Sequence, residues 1–289
     1  MTRDTAIQTL LGRITTPLKR VFLPRSHSGQ AACAPTGHVV FVGAGPGARD
    51  HLTLGALNAI QAADVVLHDR LISDDILALI PSRTKRVDVG KTGFGPSTPQ
   101  IKINALLVRH AAAGAQVVRL KAGDSTIFGR LDEEIEACAA LGIDWSILPG
   151  ITAASAAAAA IGQSLTRRGR NSSVRLLTGH DIKGFADHDW GALARPGEVA
   201  AIYMGKSSAR YMQGRLVMHG ALPLTPVTLV ENASRTDQRI IATSLAELTN
   251  SLESASLTGP VLTLFGLSPR NAAAVLPDLT ISQLQKETA

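Results

Sequence analysis

The sequence is poor in aromatic residues, which make up 3% of its 289 residues. Its core must therefore be mostly aliphatic, and the chain lacks the aromatic platforms on which single-stranded nucleic acids stack. No apolar run approaches the roughly 20 residues that a membrane-spanning helix needs. We therefore predict that the chain has neither a nucleic-acid partner nor a membrane partner.

Cysteine is equally scarce, because Cys33 and Cys138 are the only two and they lie far apart in the sequence. They do not have the spacing of metal ligands, and we interpret both as reduced thiols. The sequence therefore predicts a cytoplasmic location and no bound metal.

Acidic residues are outnumbered by basic ones, 23 against 29, which gives a formal net charge of +6 and a pI near 9.7. A basic balance indicates an acidic partner. The basic residues are mostly dispersed, and neither an RNA-recognition nor a zinc-finger signature is present. An acidic small molecule therefore ranks above nucleic acid as the partner.

Residues 1–36 form a basic N-terminal extension whose composition differs from the rest. Asp4 is its only acidic residue, and its basic residues are Arg3, Arg13, Lys19, Arg20 and Arg25. Apolar residues recur there at helical spacing. An organelle transit peptide has this character, and so does a docking helix followed by a loose linker. We favour the docking extension, because the transit-peptide pattern is common in chains that are not targeted.

From residue 37 onward, apolar strand-like runs alternate with helical patterns. The predicted strands are 39–42, 64–68, 86–89, a run from 117, 145–148, 174–178, 199–204, 227–230 and 261–265. The predicted helices are 52–60, 99–113, 132–141, 151–161, 207–219 and 245–252. This alternation predicts an α/β fold with mainly parallel sheets. We place an N-terminal α/β domain at 37–161, a C-terminal α/β domain at 162–270 and a tail at 271–289. The alanine-rich segment 151–161 should be a buried helix between the two domains.

Polar and glycine residues follow the predicted strands. They are Gly43–Gly47, Asp69-Arg70, Lys91, Gly123-Asp124, Thr178-Gly179-His180, Met204-Gly205, Glu231-Asn232 and Gly266. Each group alone is typical of an ordinary turn, but parallel strands would bring each domain's set to one edge. We therefore predict a ligand cleft between the domains. The glycine run is G-x-G-x-G rather than the G-x-G-x-x-G of dinucleotide folds, and Pro46 lacks an N–H for a phosphate, which counts against NAD.

The loop after the run from Val117 is the richest of these segments. It carries a permissive backbone at Gly123, a carboxylate at Asp124, apolar side chains at Ile127 and Phe128, and a guanidinium at Arg130. This mixture suits a ligand that is partly apolar and partly charged. The alternative is a plain strand-to-helix turn in which Asp124 only caps.

Several segments, taken in their order and spacing, resemble one family. They are V-G-A-G-P-G, A-D-V-V-L-H-D-R-L-I-S, V-G-K, R-L-K-A-G-D-S-T-I-F-G-R, P-G-I-T-A-A-S-A-A-A-A, T-G-H, Y-M-G and V-E-N-A-S. From about Val39 to Gly266 the chain is similar to the uroporphyrinogen-III C-methyltransferases, within the S-adenosylmethionine-dependent tetrapyrrole methylases. The resemblance implies a homodimeric class III methyltransferase with S-adenosylmethionine in a cleft between two α/β domains. It also implies methylation of uroporphyrinogen III at C2 and C7 to precorrin-2, a precursor for sirohaem, cobalamin or haem d1.

The resemblance also implies roles for individual residues. Asp69 matches the proton acceptor, Lys91 the proposed proton donor, and Arg130 and Arg168 the arginines that face the tetrapyrrole. The cofactor would be lined by Pro46, Ala122, Gly123, Asp124, Ile127, Thr152, Ala153, Met204 and Ala233. Structural alternatives remain open, in which Asp69 caps the next helix, Lys91 is a solvated turn residue and Met204 is a core residue.

The chain departs from the family pattern at several of these positions. The differing residues are Ala122 for Gly, Ser125-Thr126 for Pro-Phe, Ala48 for Asp, Thr92 for Arg, Arg167 for His and Ala233 for Gly. Alternative hypotheses are therefore a divergent methylase with another precorrin-like substrate, or a catalytically weak paralogue that acts as a binding protein. A nucleic-acid binder that acts through residues 1–36 is a further alternative.

Overall fold

A computed structural model describes residues 37–90 and 98–272, in which two five-stranded sheets are the main elements. The first sheet is entirely parallel, with the order β3-β2-β4-β1-β5. Its strands are β1 (His38–Gly43), β2 (Val65–His68), β3 (Lys85–Asp88), β4 (Gln116–Lys121) and β5 (Asp144–Leu148). The central strands are near-continuous apolar runs because helices cover both faces of the sheet.

Alternate residues of these strands enter two cores. Phe41, Leu67 and Val117 lie in one core, on the face covered by α3 (Gln100–Ala112) and α4 (Leu131–Ala139). Val42, Val66 and Leu120 lie in the other core, which includes residues of α1 (Leu54–Ala62) and α2 (Asp74–Leu77). The period-two alternation of strand side chains produces this division.

The capping residue of α1 and the buried face of α3 agree with their sequences. The hydroxyl of Thr53 caps α1 by accepting a hydrogen bond of 3.1 Å from the backbone N–H of Ala56. Helix α3 buries Ile103, Leu107 and Ala111, which share one face because they are four residues apart.

The second sheet has the order β11-β10-β12-β9-β6 and is mostly antiparallel. Its strands are β6 (Arg175–Thr178), β9 (Ala200–Tyr203), β10 (Pro226–Glu231), β11 (Arg239–Ser244) and β12 (Val261–Phe265). Only the pairing of β6 with β9 is parallel among the described strands of this sheet. The prediction of a mainly parallel sheet is therefore wrong here, since the loop from β10 to β11 is too short for a parallel crossover. As a consequence, Gly266 lies at the opposite edge from Tyr203 and Glu231.

Short elements complete the second half. They are the hairpin β7 (His180–Asp181) and β8 (Gly184–Phe185), with helices α5 (Ala153–Ala160), α6 (Trp190–Leu193), α7 (Ala209–Met218) and α8 (Leu248–Ser254). The sequence did not predict β11, the hairpin, α2 or α6. The residues of β11 are largely exposed or half-buried, so they lack a clear apolar signal.

Helix α5 is the predicted buried alanine helix, and this prediction is confirmed. Ala154 and Ala157 are buried and share a core with Ala201 and Leu264 of the second sheet. The small alanine side chains allow the helix to approach that sheet closely. The domain boundaries themselves remain predictions, and residues 1–36 and most of the tail lie outside the described residues.

Over residues 37–90 and 98–272, no helix is both long enough and apolar enough to cross a membrane.

The buried thiol of Cys138 on α4 predicts a loss of stability at alkaline pH. Burial, with a contribution from the Glu134 carboxylate, raises the pKa of this thiol from 9.0 to about 11. Because the folded state holds the proton more tightly, its stabilisation is complete below pH 9 and is lost as the pH rises through about 11. We expect this thiol to account for a loss of about 2–3 kcal/mol in unfolding free energy over that interval. Urea titrations across it should show a smaller loss in Cys138→Ala than in the wild type, and equal losses would contradict the prediction.

Candidate cofactor and substrate site

Three loops of the first sheet meet at the carboxyl ends of its strands. The β1 and β4 loops exchange two backbone hydrogen bonds, from Gly45 N to Gly123 O (3.1 Å) and from Gly123 N to Gly45 O (2.8 Å). The β5 loop joins them because the backbone N–H of Gly150 donates to Asp124 Oδ2 at 3.0 Å. The edge that the sequence predicted for ligand binding is therefore built from loops that contact one another.

The end of β9 connects the second sheet to these loops through Tyr203. Its hydroxyl hydrogen-bonds to the hydroxyl of Thr152 and accepts from the backbone N–H of Ala154 at 3.2 Å. Its ring centroid lies 5.2 Å from that of Phe128. Burial raises the pKa of Tyr203, so the phenol is protonated at neutral pH and can donate a hydrogen bond.

The loop after β10 makes a second connection between the sheets. The backbone N–H of Ala48 donates to Ser234 Oγ at 3.0 Å, and Arg235 Nη2 donates to the carbonyl of Leu71 at 2.6 Å. Ser73 Oγ donates to the carbonyl of Gly47 at 2.6 Å and supports the β1 loop from the other side. We call segments 43–48, 122–130, 149–153, 203–205 and 232–235 the joined loops.

Glycine is required where the joined loops approach most closely. A Cβ added to Gly150 would lie 2.2 Å from the carbonyl oxygen of Gly123, a distance that no side chain can adopt. Gly123 has a φ of +68°, a left-handed conformation that favours glycine. A Cβ built on Gly123 itself would have its nearest contact beyond the adjacent residues only at 4.0 Å, from the backbone nitrogen of Ala153, so this backbone is open to a ligand.

Backbone strain is concentrated on the joined loops. The non-glycine residues with positive φ there are Phe128, Arg130, Met204, Asn232 and Ser234. Such conformations cost energy and are often found at functional sites. Met204 is also 51% exposed, so its interpretation as a core residue is wrong.

The predicted cofactor residues all lie on the joined loops. They are Pro46 after β1, Ala122, Gly123, Asp124 and Ile127 after β4, Thr152 and Ala153 after β5, Met204 after β9, and Ala233 after β10. The fold therefore brings together residues that are up to 187 positions apart in sequence, from Pro46 to Ala233 (233 − 46). Their roles toward a cofactor remain predictions.

Comparison with models of known protein families identifies the family of this chain. The model of the tetrapyrrole (corrin/porphyrin) methylases matches residues 38–249. The chain belongs to the tetrapyrrole methylases. The resemblance noted in the sequence is thereby confirmed.

Curated relatives of this methylase are bacterial siroheme synthases. The siroheme synthase of Edwardsiella ictaluri is 47% identical over 218 residues, which cover 75% of this chain and 47% of the relative. The siroheme synthase of Azotobacter vinelandii is 44% identical over 236 residues, which cover 82% and 51% of the two chains. The chain thus spans about half the length of these relatives.

Solved structures confirm the predicted fold class. A uroporphyrin-III C-methyl transferase from Thermus thermophilus, complexed with S-adenyl homocysteine, is 34% identical with a TM-score of 0.69. The alignment covers 80% of this methylase and 97% of that chain. A cobalt precorrin-4 methyltransferase, at 24% identity and a TM-score of 0.71, shares the fold.

Asp69 lies at the end of β2, at the same edge of the sheet as the joined loops. Its Oδ1 accepts a hydrogen bond of 2.6 Å from Arg119 Nη2, and its side chain remains 32% exposed. The N-cap of α2 is Ser73. The interpretation of Asp69 as the cap of the next helix is therefore wrong.

Beneath Asp69, the methylase contains a cluster of buried charges. Glu134 is fully buried and accepts hydrogen bonds from Arg119 Nε (3.0 Å), Lys121 Nζ (3.0 Å to each oxygen) and Gln100 Nε2 (3.1 Å). Burial acts to lower the pKa of Arg119, but the carboxylates of Asp69 and Glu134 outweigh it and raise that pKa. Burial, reinforced by Arg119, lowers the pKa of Lys121. We call Asp69, Arg119, Lys121 and Glu134 the charged cluster.

The carboxylate of Asp124 stabilises its own loop. Its Oδ1 accepts from the backbone and hydroxyl of Thr126 at 2.8 and 2.5 Å, and its Oδ2 accepts from Gly150. Asp124 does not cap α4, whose N-cap is Arg130. Its carboxylate therefore closes the turn and attaches the β5 loop.

The predicted substrate arginines are both exposed. Arg130 forms a bidentate pair with Glu133, with both nitrogen–oxygen distances at 2.7 Å. The hydrogen bond raises the pKa of Arg130 and lowers that of Glu133. Arg168 lies in the loop between α5 and β6. Lys91, the predicted proton donor, lies outside the described residues.

Several residues of the site were not predicted from the sequence. They are Tyr203, Ser234, Arg119, Lys121 and Glu134. Glu134 occupies a position on the apolar stripe of α4, three residues after Leu131 and four before Cys138, all of them buried. A carboxylate on an apolar stripe is a signal that could have identified it.

Ser125, one of the departures from the family pattern, predicts a stabilising substitution. Its side chain is fully buried, and its hydroxyl has no hydrogen-bond partner among the described residues. Ser125→Ala should therefore raise the free energy of unfolding by about 1 kcal/mol, as measured by urea titration. The control is Ser146→Ala, which loses a 2.9 Å hydrogen bond to His38 and should lower it. A loss in both variants would contradict the prediction.

Proposed function

We propose that this methylase transfers methyl groups from S-adenosylmethionine to C2 and C7 of uroporphyrinogen III, giving precorrin-2. The proposal depends on one observation: the joined loops bring the predicted cofactor residues to the edge of the sheet at which the half-buried carboxylate of Asp69 lies. The Thermus thermophilus relative supports this proposal, because it is named a uroporphyrin-III C-methyl transferase and its complex contains S-adenyl homocysteine, the demethylated form of the cofactor.

The joined loops fit S-adenosylmethionine chemically. The open backbone at Gly123 permits close approach of a ligand, and Met204 and Ile127 offer exposed or half-buried apolar surface. Pro46 lacks the N–H that a phosphate would need, and S-adenosylmethionine has no phosphate. When bound, this group supplies an electrophilic methyl on a positively charged sulfur.

Asp69 is the base in the proposed reaction. Methylation of a pyrrole carbon leaves a proton to be removed, and carboxylates commonly accept protons in such steps. The exposed fraction of Asp69 gives it access to this proton. The remaining contribution is orientation of the two reactants, which is worth up to about 7–11 kcal/mol in favourable cases.

The acidic substrate explains the basic character of the chain. Uroporphyrinogen III carries eight carboxylates, and a single exposed ion pair contributes only about 0–1 kcal/mol. Several basic groups must therefore act together, among which we place Arg130 and Arg168. The bidentate pair with Glu133 holds Arg130 in one orientation. From this orientation the guanidinium can donate a hydrogen bond to a carboxylate of the substrate.

Arg130→Ala should weaken substrate binding more than cofactor binding. We expect the KM for uroporphyrinogen III to rise roughly 10-fold, equivalent to about 1.4 kcal/mol, while the Kd for S-adenosylhomocysteine stays constant. Arg210→Ala is the control, because Arg210 is an exposed arginine paired with Glu253 on the second half. Equal losses of both ligands in Arg130→Ala would indicate a general structural role instead.

An anaerobic assay tests the proposed function. The methylase is incubated with uroporphyrinogen III and S-adenosylmethionine carrying a ¹³C-labelled methyl group, and the product is analysed by mass and NMR. Two labelled methyls, at C2 and C7, are expected. No methylation with intact binding of S-adenosylhomocysteine would indicate another precorrin-like substrate, and loss of both would indicate a non-catalytic binding protein.

We also infer a cytoplasmic homodimer. The sequence resemblance supports the dimer, and light scattering on the purified chain would test it by giving twice or once the mass of 30.2 kDa.

A further inference from the structure

Arg119 and Asp69 project from neighbouring strands onto the same face of the first sheet. Arg119 pairs with Leu67 across the parallel β4–β2 contact. Asp69 follows Leu67 by two residues, so its side chain points to the same face as that of Leu67. The guanidinium thus lies beneath the half-buried Asp69 carboxylate, at 2.6 Å from Oδ1.

The guanidinium of Arg119 is held on three sides. Its Nε donates to Glu134 at 3.0 Å, its Nη1 to the carbonyl of Leu120 at 3.1 Å, and its Nη2 to Asp69. Arg119 is 2% exposed and Glu134 is 0% exposed, so water does not compete with the contact between these two side chains. Because the guanidinium is planar, the contacts of Nε and Nη1 also fix the position of Nη2. The hydrogen bond from Nη2 therefore sets the position of the Asp69 carboxylate.

The charged cluster is balanced by its own members. Arg119 and Lys121 supply two positive charges, and Glu134 and Asp69 supply two negative charges. Buried charges are expensive unless they are paired, and a structural ion pair could be replaced by apolar residues. One member of this cluster, however, is the partly solvent-accessible carboxylate of Asp69, at the same edge as the joined loops. A purely structural cluster does not need a member that reaches solvent.

We propose that Arg119 is a positioning residue for Asp69, fixed in place by Glu134, and that it holds the carboxylate in the orientation that accepts the proton. This inference rests on the proposed function, in which Asp69 is the base. Arg119 acts through Asp69 and is not itself expected to touch the substrate.

A double-mutant cycle tests the proposal. Arg119→Gln should lower kcat about 100-fold, as expected when a reacting group is misplaced, while the Kd of S-adenosylhomocysteine stays unchanged. In an Asp69→Asn background, the same change should lower kcat by less than about 3-fold, because its effect runs through Asp69. If the loss of kcat in the double variant equals the product of the losses in the two single variants, the two residues act independently and the proposal is overturned.

Two further variants separate positioning from folding. Arg119→Lys keeps the positive charge but lacks the planar set of donors that hydrogen-bonds to Glu134 and Asp69 at the same time. The variant should fold, and its kcat should fall about 10-fold. Arg175→Gln breaks an ion pair with Glu198 on the second sheet, outside the charged cluster. It should leave kcat unchanged, and an equal loss of kcat in Arg175→Gln would overturn the proposal.

A crystal structure of Arg119→Gln tests the positioning role without a measurement of turnover. If the wild type does not methylate uroporphyrinogen III, the proposed function fails, but the position of the Asp69 carboxylate still shows whether Arg119 orients it. We expect its carboxylate to be ordered against Arg119 in the wild type and to be displaced or disordered in the variant. A carboxylate in the same place in both structures would overturn the positioning role.

Discussion

Asp69→Asn should lower kcat for methylation of uroporphyrinogen III by about 100- to 10,000-fold, the usual contribution of general acid–base catalysis. The amide is nearly the same size as the carboxylate and can still accept a hydrogen bond from Arg119, so the fold should persist. The amide is not a base at neutral pH, and the proton released on methylation has no acceptor at that position. The measurement is single-turnover methylation by the variant, with binding of S-adenosylhomocysteine determined in parallel.

The control for this substitution is Asp75→Asn. Asp75 is an exposed carboxylate in the first turn of α2, close to Asp69 in the sequence. It should retain wild-type kcat, which would exclude an effect of surface charge alone. Near-wild-type turnover by Asp69→Asn would remove Asp69 from the reaction.

Glu134→Ala should lower the free energy of unfolding by about 3–5 kcal/mol, the cost of breaking a buried ion pair from one side. The variant leaves Arg119 and Lys121 buried without the carboxylate that accepts from both. Gln100 also loses its acceptor. Urea titration at neutral pH measures the loss directly.

The adjacent residue supplies a matched control. Glu133 lies on the same helix, but its side chain is 49% exposed and pairs with the exposed Arg130. Glu133→Ala should therefore lower the unfolding free energy by less than about 1 kcal/mol. Similar losses in the two variants would show that burial of the charged cluster does not determine its contribution.

The first sheet could be predicted from the sequence because its central strands β1, β2 and β4 are largely apolar on both faces. The run 39–42 and the observed β1 (His38–Gly43) differ by one residue at each end, and the helix 99–113 and α3 (Gln100–Ala112) agree as closely. The second sheet was predicted less well. Strand β11 (Arg239–Ser244) pairs only with β10 among the described strands, and its mixed exposure gives no clear period-two pattern.

The candidate site was predicted only as separate motifs. Family-like segments identified the loops, because glycine at positions such as Gly123 and Gly150 reflects a local backbone requirement. The contact of Tyr203 with Thr152 joins residues 51 positions apart, and no local pattern encodes it. The charged cluster was missed because Arg119 and Lys121 alternate with apolar residues in β4, and their partner on α4 could not be known.

A crystal structure of the methylase with S-adenosylhomocysteine tests most directly whether the joined loops hold the cofactor. We expect the ligand against Ala122–Asp124, Thr152 and Met204, with the Asp69 carboxylate facing the space beside it. The described residues also form a groove of about 610 Å³ beside Phe128 and Trp145, and a cavity of about 490 Å³ beside Phe185 and Tyr211. Density for S-adenosylhomocysteine in either of these places, without contact to Ala122–Asp124, Thr152 and Met204, would contradict the assignment of the site.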